Sequence, residues 1–349
     1  MSNNRFIIPV FVPHRGCPND CVFCNQRKIT GQKNVYDYSQ IDEEIMEAVK
    51  TIDFSKDPDV EIAFYGGTFT AIDVESQETF LKIASKYVDN YKIKGIRLST
   101  RPDAIDEVVL KRLKKYGVKT IELGVQSLNE DVLLKSNRGH DSKIVYESAK
   151  LIKDYGFILG IQLMIGLPGD NLEINMRTVN EVIKMKPDIA RIYPTLVIKD
   201  TELARMYEKG LYKPLNVMEA VEISKEMYKV LFSNNINVIR IGLQPTENIL
   251  EGKDVVAGPF HSAFRELVIS SYIFDLIKET IENESFNEIE FEINNKDVSY
   301  LVGNKGINKK LIKDELNVKK MKIKINNDID RGIFFINSSS FNKKIKFSI

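Results

Sequence analysis

Over its first 245 residues the chain alternates short apolar runs with amphipathic stretches, a rhythm that few folds accommodate. The apolar runs are Phe6–Val12, Val60–Tyr65, Ile96–Thr100, Thr120–Gln126, Phe157–Ile165, Ile189–Val197 and Val238–Leu243. The stretches between them are Ile41–Ile52, Val74–Asn90, Ala104–Tyr116, Lys143–Tyr155, Leu172–Met185 and Val217–Asn234. Their apolar residues recur at helical spacing, as Ile105, Val108, Val109 and Leu113 do. Repeated strand–helix units imply an α/β fold with a parallel sheet. Six or seven such units curl into a partial or full (β/α) barrel of the TIM type. Gly117, Gly156 and Asn235 follow helix ends and suit left-handed caps.

After Pro245 the rhythm stops. Thr246–Gly258 reads as a connector and Phe260–Glu282 as a helix. The remainder reads as strand Glu288–Ile293, short helix Asp297–Leu301, a Gly303-Asn304-Lys305-Gly306 loop, helix Ile307–Leu316 and strands Met321–Ile325 and Gly332–Ile336. Three parts are expected: a barrel over 1–245, a connector and helix over 246–287, and a small α+β domain over 288–349. From Glu290 onward 13 Lys+Arg face 7 Asp+Glu, a net of +6 inside a chain whose total is +1. A basic end domain favours a polyanionic partner. An apolar content of 43% suffices for a core. No apolar stretch is long enough for a bilayer, and the first residues lack a signal-peptide layout. The expected setting is cytoplasmic, with no membrane partner.

All three cysteines fall in one window, Cys17-Pro18-Asn19-Asp20-Cys21-Val22-Phe23-Cys24. Three thiolates can hold three irons of a [4Fe–4S] cube and leave the fourth open to a ligand. The rival is structural zinc, which is almost always closed by four ligands. No fourth Cys exists, so His14 or a carboxylate would have to serve. An odd number of thiols without a secretory signal speaks against a disulfide. The residues favour iron–sulfur over zinc.

In a barrel the chemistry gathers at the C-terminal ends of the strands. The cysteine window follows the first strand, Gly66-Gly67-Thr68 follows the second, and Thr100-Arg101-Pro102-Asp103 ends the third. Glu122 and Gln126 lie on the fourth, and Gln162 lies on the fifth ahead of Gly166-Leu167-Pro168. Tyr193-Pro194 ends the sixth. Polar residues and glycines thus collect at the rim that a cluster would occupy.

The cysteine window followed by Gly66-Gly67-Thr68 resembles the radical S-adenosylmethionine (SAM) enzymes. Phe64–Thr70, Thr100–Asp103, Glu122–Ser127, Asn137–His140 and Tyr193–Val197 narrow the resemblance. Together they are similar to the radical SAM module of the Elongator catalytic subunit, over roughly residues 5–245, and more distantly to the oxygen-independent coproporphyrinogen oxidases. The resemblance implies that Cys17, Cys21 and Cys24 ligate a [4Fe–4S] cluster and that SAM chelates its open iron. It implies that the Gly66-Gly67-Thr68 turn approaches the methionine moiety and that Gln126 and Arg138 face its carboxylate. Glu122 is counted with these cofactor residues. Gln162 is placed at the ribose, and Phe23 near the adenine. It further implies one-electron cleavage of SAM to a 5′-deoxyadenosyl radical, fed by an external low-potential donor. Two departures are expected: the acetyltransferase segment and the zinc-ligand cysteines of the Elongator subunit have no counterpart here. Either another protein supplies the acyl group, or the chemistry differs.

Leu301–Ile307 resembles the centre of a KH domain, where a GxxG loop clamps nucleotides. That makes Gly303, Lys305 and Gly306 candidate RNA contacts, with Lys309, Lys310 and Lys313 on the following helix. The bland alternative is a cap on the barrel. Arg101 and Asp103 are candidates for orienting substrate, or else a pair that fixes their loop. His140 sits beside the expected SAM pocket, and His261 and Lys199 read more readily as ordinary helix-start and surface residues. The leading expectation is a radical SAM enzyme acting on RNA, most concretely tRNA. The alternatives are a small-molecule or peptide substrate, and a non-catalytic iron–sulfur protein that binds RNA.

Overall fold

The structure is a computed structural model that describes residues 5–12, 17, 20–25, 38–243, 253–281, 286–316, 318–338 and 341–347. His14 and much of the expected connector lie outside the described residues. The main sheet contains β1 (Arg5–Val12), β2 (Asp59–Gly66), β3 (Gly95–Thr100), β4 (Val118–Gln126), β5 (Ile158–Ile165), β6 (Ile189–Pro194) and β8 (Asn237–Ile241), in that spatial order. Every neighbouring pair is parallel. β1 and β8 are edges and do not pair with each other, so the barrel is partial and not closed.

The helices between them are α1 (Tyr38–Lys50), α2 (Val74–Asn90), α3 (Glu107–Lys115), α4 (Glu130–Lys135), α5 (Ser142–Asp154), α6 (Leu172–Lys184), α7 (Glu202–Glu208) and α8 (Val217–Ser233). Their starts follow from short polar side chains that accept the first free N–H groups: Asp73, Asp106, Asp141, Asn171 and Asn216 each cap one. Asp106 explains why α3 begins later than its apolar pattern: Pro102–Ala104 forms a separate 3-10 turn before it. Gly117, Gly156 and Asn235 are all left-handed, as their places after helices require.

The sixth apolar run divides. Ile189–Pro194 stays in the main sheet, whereas β7 (Val197–Ile198) pairs antiparallel with β9 (Val255–Ala257). Helix α9 (Phe264–Ile281) packs on α8 and carries the chain to the end domain. There β10 (Glu288–Ile293), α10 (Val298–Val302), α11 (Ile307–Glu315), β11 (Lys320–Ile325), β12 (Ile333–Asn337) and β13 (Asn342–Lys346) follow. Their sheet order is β11-β10-β12-β13, and β13 is a strand absent from the sequence expectation. One buried apolar cluster runs from β1 through α9 into this sheet. No helix among the described residues is long and apolar enough to cross a membrane.

Along β3 and β4 apolar and polar side chains alternate. Ile96, Leu98, Ile121, Leu123 and Val125 join the helices in the buried cluster. Their neighbours Arg97, Ser99, Thr120 and Glu122 turn to the other face of the sheet and meet across strands. Arg97 donates to Glu61 at 2.5 Å and to Glu122 at 2.8 Å. Arg191 on β6 donates to Glu122 at 2.6 and 2.9 Å, and to the Tyr65 hydroxyl at 2.8 Å. Glu122 is 1% exposed and therefore shares one carboxylate between two buried guanidinium groups. Burial opposes its ionisation, but Arg191 and Arg97 hold the carboxyl below the usual carboxylate range. Its stabilising effect is thus present at neutral pH and lost as acid protonates it.

Removing that carboxylate takes from buried Arg191 its carboxylate partner and leaves buried Arg97 to Glu61. Glu122→Ala is expected to destabilise the fold by about 3–5 kcal/mol, read as a lower urea midpoint of the full chain. A midpoint within error of the wild type would show that the ion network is not a structural requirement.

Candidate functional site

The described cysteines meet in one cavity at the C-terminal rim of the sheet. Cys17, Cys21, Cys24 and Phe23 line one side; Gly66, Gly67 and Thr68 line another; Arg101, Gln126, Arg138 and Gln162 complete it. These come from the loops after β1, β2, β3 and β4 and from β5 itself. Ser99, Thr100 and Gly124 also line it; Thr100 and Gly124 fall within segments read from the sequence but given no role of their own, and Ser99 was not singled out. Strand alternation was the signal that could have found Ser99, two residues before Arg101, and Gly124, two residues before Gln126.

The cysteine loop is held by the segment after β4. Val22 N–H donates to Ser136 O at 3.1 Å, and Asn137 Nδ2 donates to Asp20 O at 2.9 Å. Asn137 has φ +52°, a left-handed conformation that Asn tolerates better than most side chains. On the far side Leu203 N–H donates to Val22 O at 2.8 Å. Cys24 N–H closes a turn onto Cys21 O at 2.9 Å. Phe23 packs against the small cluster of Val22, Val197, Leu203 and Tyr212, so its ring braces the loop.

Arg138 is 5% exposed and its fork is divided. Nη1 donates to Cys21 Sγ at 3.2 Å and Nη2 donates to Gly124 O, which leaves Nε as a buried donor without a partner among the described residues. Arg101 donates to both carboxylate oxygens of Asp103, at 2.8 and 2.7 Å, and to Arg138 O at 2.5 Å. Burial works against charge on Asp103, but the Arg101 contact prevails and holds its carboxyl below the usual range. The pair fixes the rim loop, and Arg101 keeps Nη1 buried and unpartnered among the described residues. Gln126, on a β-bulge at φ +67°, likewise has a buried Oε1 without a partner among the described residues. Gln162 uses its amide hydrogens on Ser99 Oγ and Glu122 Oε2, both at 3.0 Å, and so offers only its carbonyl oxygen to a ligand.

Not every sequence candidate enters this cavity. Glu122 lies below it, with both oxygens taken by Arg97, Arg191 and Gln162, so it positions Gln162 and does not line the cavity. Asp103 and His140 line a neighbouring, more open cavity between α4 and α5. His140 Nδ1–H donates to Asp141 O at 3.0 Å, and burial lowers its pKa. Gly66 has a structural reason to be glycine: at φ +121°, a Cβ there would stand 2.3 Å from Val12 O of β1. Gly303 is buried at φ +76°, where a Cβ would meet Ile307 at 2.8 Å, so close helix packing also dictates this glycine. Lys305 is exposed in the turn.

The donors suit an iron–sulfur cluster with an amino-acid ligand. Three thiols without a fourth line a cavity that also holds two buried guanidinium donors and one buried amide acceptor, all unpartnered among the described residues. Such a set complements a carboxylate and an ammonium group beside a cluster.

Comparison with known proteins agrees. Residues 11–182 match the Radical SAM superfamily and residues 187–273 match the Radical_SAM C-terminal domain. The chain is 34% identical over 184 residues to the tRNA uridine(34) acetyltransferase of Methanocaldococcus jannaschii, covering 47% of this chain and 34% of that protein. It is 34% identical over 198 residues to human Elongator complex protein 3, covering 51% and 36%. The chain therefore spans about a third of the length of these relatives. The solved structure of the archaeal Methanocaldococcus infernus Elp3 with an N-terminal deletion shares the fold, with a TM-score of 0.60, 24% identity and coverage of 79% of this chain and 63% of that one.

The Asn137 clasp makes a prediction of its own. Asn137→Ala is expected to let an iron chelator strip the reconstituted protein several-fold faster than wild type, followed by absorbance. An unchanged rate would show that the Asp20 contact does not hold the loop.

Proposed function

Because the chain belongs to the radical SAM superfamily, we propose that it is an RNA-modifying transferase acting on a tRNA uridine. The observation that carries the enzymatic part is the single cavity shared by the three thiols, the Gly67-Thr68 turn and the unpartnered Gln126, Arg138 and Arg101 atoms. When bound, the [4Fe–4S] cluster and SAM supply a carbon radical that takes hydrogen from a substrate C–H bond. In this reading Cys17, Cys21 and Cys24 hold the cluster. Arg138 Nε and Arg101 Nη1 receive the methionine carboxylate, Gln126 Oε1 accepts from its ammonium group, and Gln162 Oε1 accepts from a ribose hydroxyl. Phe23 shields the cluster from water.

The RNA substrate is supported by the relatives, two of which carry tRNA uridine(34) in their names. The charge of the end domain supports it too. Lys320 and Lys322 pair with Glu288, Lys324 with Glu292 and Arg331 with Asp297, which neutralises much of β11. Lys305, Lys309, Lys310 and Lys313 are exposed around the Gly303–Gly306 turn and have no ion pair among the described residues. They are the phosphate contacts in this reading, and the two glycines shape the turn that presents Lys305. The reading includes an external low-potential electron donor, a separate acyl-donor protein and a cytoplasmic setting.

The deciding measurement is 5′-deoxyadenosine release by anaerobically reconstituted, reduced protein with and without bulk tRNA. Stimulation that disappears after RNase treatment is expected. Turnover indifferent to tRNA would point to a small-molecule or peptide substrate. Charge reversal is the cleaner test of the end domain, because Gly303→Asp would strain a packed turn. Lys305→Glu combined with Lys309→Glu is expected to weaken tRNA binding about tenfold and to flatten its log–log salt dependence by about one unit per lost contact. Unchanged affinity and slope would reduce this region to a cap on the barrel.

A further inference from the structure

We propose that the Thr68 hydroxyl donates a hydrogen bond to the Cys17 thiolate and so sets the redox equilibrium of the cluster, with Arg138 acting in the same way on Cys21. This rests on the reading of the three cysteines as cluster ligands. It gives Thr68 a role on the protein side of the cluster and not on SAM.

Thr68 Oγ1 lies 3.0 Å from Cys17 Sγ, and the residue is 2% exposed. Its surroundings show that this aim is built in. Thr68 stands at the N-cap of the 3-10 turn Phe69–Ala71, where a threonine ordinarily turns its oxygen to a free backbone N–H. Here it makes no cap hydrogen bond and points to the sulfur instead. The turn behind it is bolted in place. Phe69 stacks on Phe64 with ring centres 4.9 Å apart, and Thr70 Oγ1 meets Thr100 Oγ1 at 2.6 Å. Gln77 Nε2 donates to Thr70 O at 3.0 Å and to Ile72 O at 2.7 Å. On the opposite wall Arg138 Nη1 reaches Cys21 Sγ at 3.2 Å, and its other terminal nitrogen is anchored on Gly124 O.

Between a free thiol and a hydroxyl either group can donate. An iron-bound thiolate has no hydrogen to give, so Thr68 must then be the donor. Reduction takes one electron from an external reductant into the cluster, which passes from a 2+ to a 1+ core. No protein bond forms or breaks, and no proton moves. The added charge spreads onto the sulfurs, so hydrogen bonds to them, and the positive charge of Arg138 beside Cys21, favour the reduced form.

The test is an EPR-monitored redox titration of the full reconstituted chain, without SAM and without RNA. Thr68→Val keeps the shape and removes the donor. It is expected to retain wild-type iron, with the reduced-to-oxidised ratio at a fixed potential falling about tenfold, equivalent to a midpoint about 59 mV lower for one electron. Thr68→Ser is expected to keep the wild-type midpoint. A Thr68→Val midpoint equal to the wild type's, with SAM affinity weakened in equilibrium dialysis, overturns the proposal and makes Thr68 a SAM contact. If Thr68→Val does not retain its cluster, Thr68→Ala is titrated in its place, and a wild-type midpoint there overturns the proposal equally. A wild-type chain that retains no iron overturns the cluster reading itself before any variant is compared.

Discussion

Glu122 is the charge on which the inner face of this molecule depends. In this partial parallel barrel one face is covered by helices, and the other carries polar side chains beneath the cavity. Here one carboxylate on β4 accepts from Arg97 of β3, Arg191 of β6 and Gln162 of β5. Arg97 extends the network to Glu61 on β2, and Arg191 reaches the Tyr65 hydroxyl and lies over its ring at 5.3 Å. Five adjacent strands are thereby cross-linked beneath the cavity. Such a network is costly to desolvate and becomes favourable only when every partner is present. It also holds Gln162 in one orientation, so the floor of the cavity offers an acceptor and not a donor.

Above that floor Cys21 and Cys24 are joined by a turn, closed by Cys24 N–H on Cys21 O. Its shape comes from its contacts: Ser136 and Asn137 on one flank, Leu203 on the other, and Arg138 and Thr68 on the sulfurs. The segment from Ser136 to Arg138 therefore works twice, as a clasp for the loop and as a wall of the cavity. Clasp and cavity wall are coupled because neighbouring residues of one segment serve both.

Much of the fold was legible in the sequence because strands and helices differ in the period of their apolar residues. The seven strands and the long helices fall where those periods place them, and Gly117, Gly156 and Asn235 end helices as expected. The sixth run was read as one strand because Leu196 and Val197 continue its apolar pattern, yet the chain turns after Pro194 to pair with β9. β13 escaped notice because Asn342–Lys346 is mostly lysine and asparagine, and only Ile345 faces the core. Glu122 was grouped with the cofactor residues because it lies on the fourth strand beside Gln126, but position on a strand does not show how far down the cavity reaches. Gly66 and Gly303 read as ligand-facing glycines, and only the structure shows the backbone and side chains that exclude a Cβ there.

The sequence by itself determined the parallel α/β architecture, the thiol set and the rim on which the polar residues collect. These depend on periodicity, on residue chemistry and on order along the chain, all of which are local. Only the tertiary structure decided which polar groups are already satisfied by other protein atoms. That separated Glu122 from Gln126, divided the Arg138 fork between a sulfur and a carbonyl, and turned Thr68 toward Cys17. The physical reason is that a buried polar atom takes its role from the partner it meets across the fold, and here those partners lie 14 to 117 residues away in the chain.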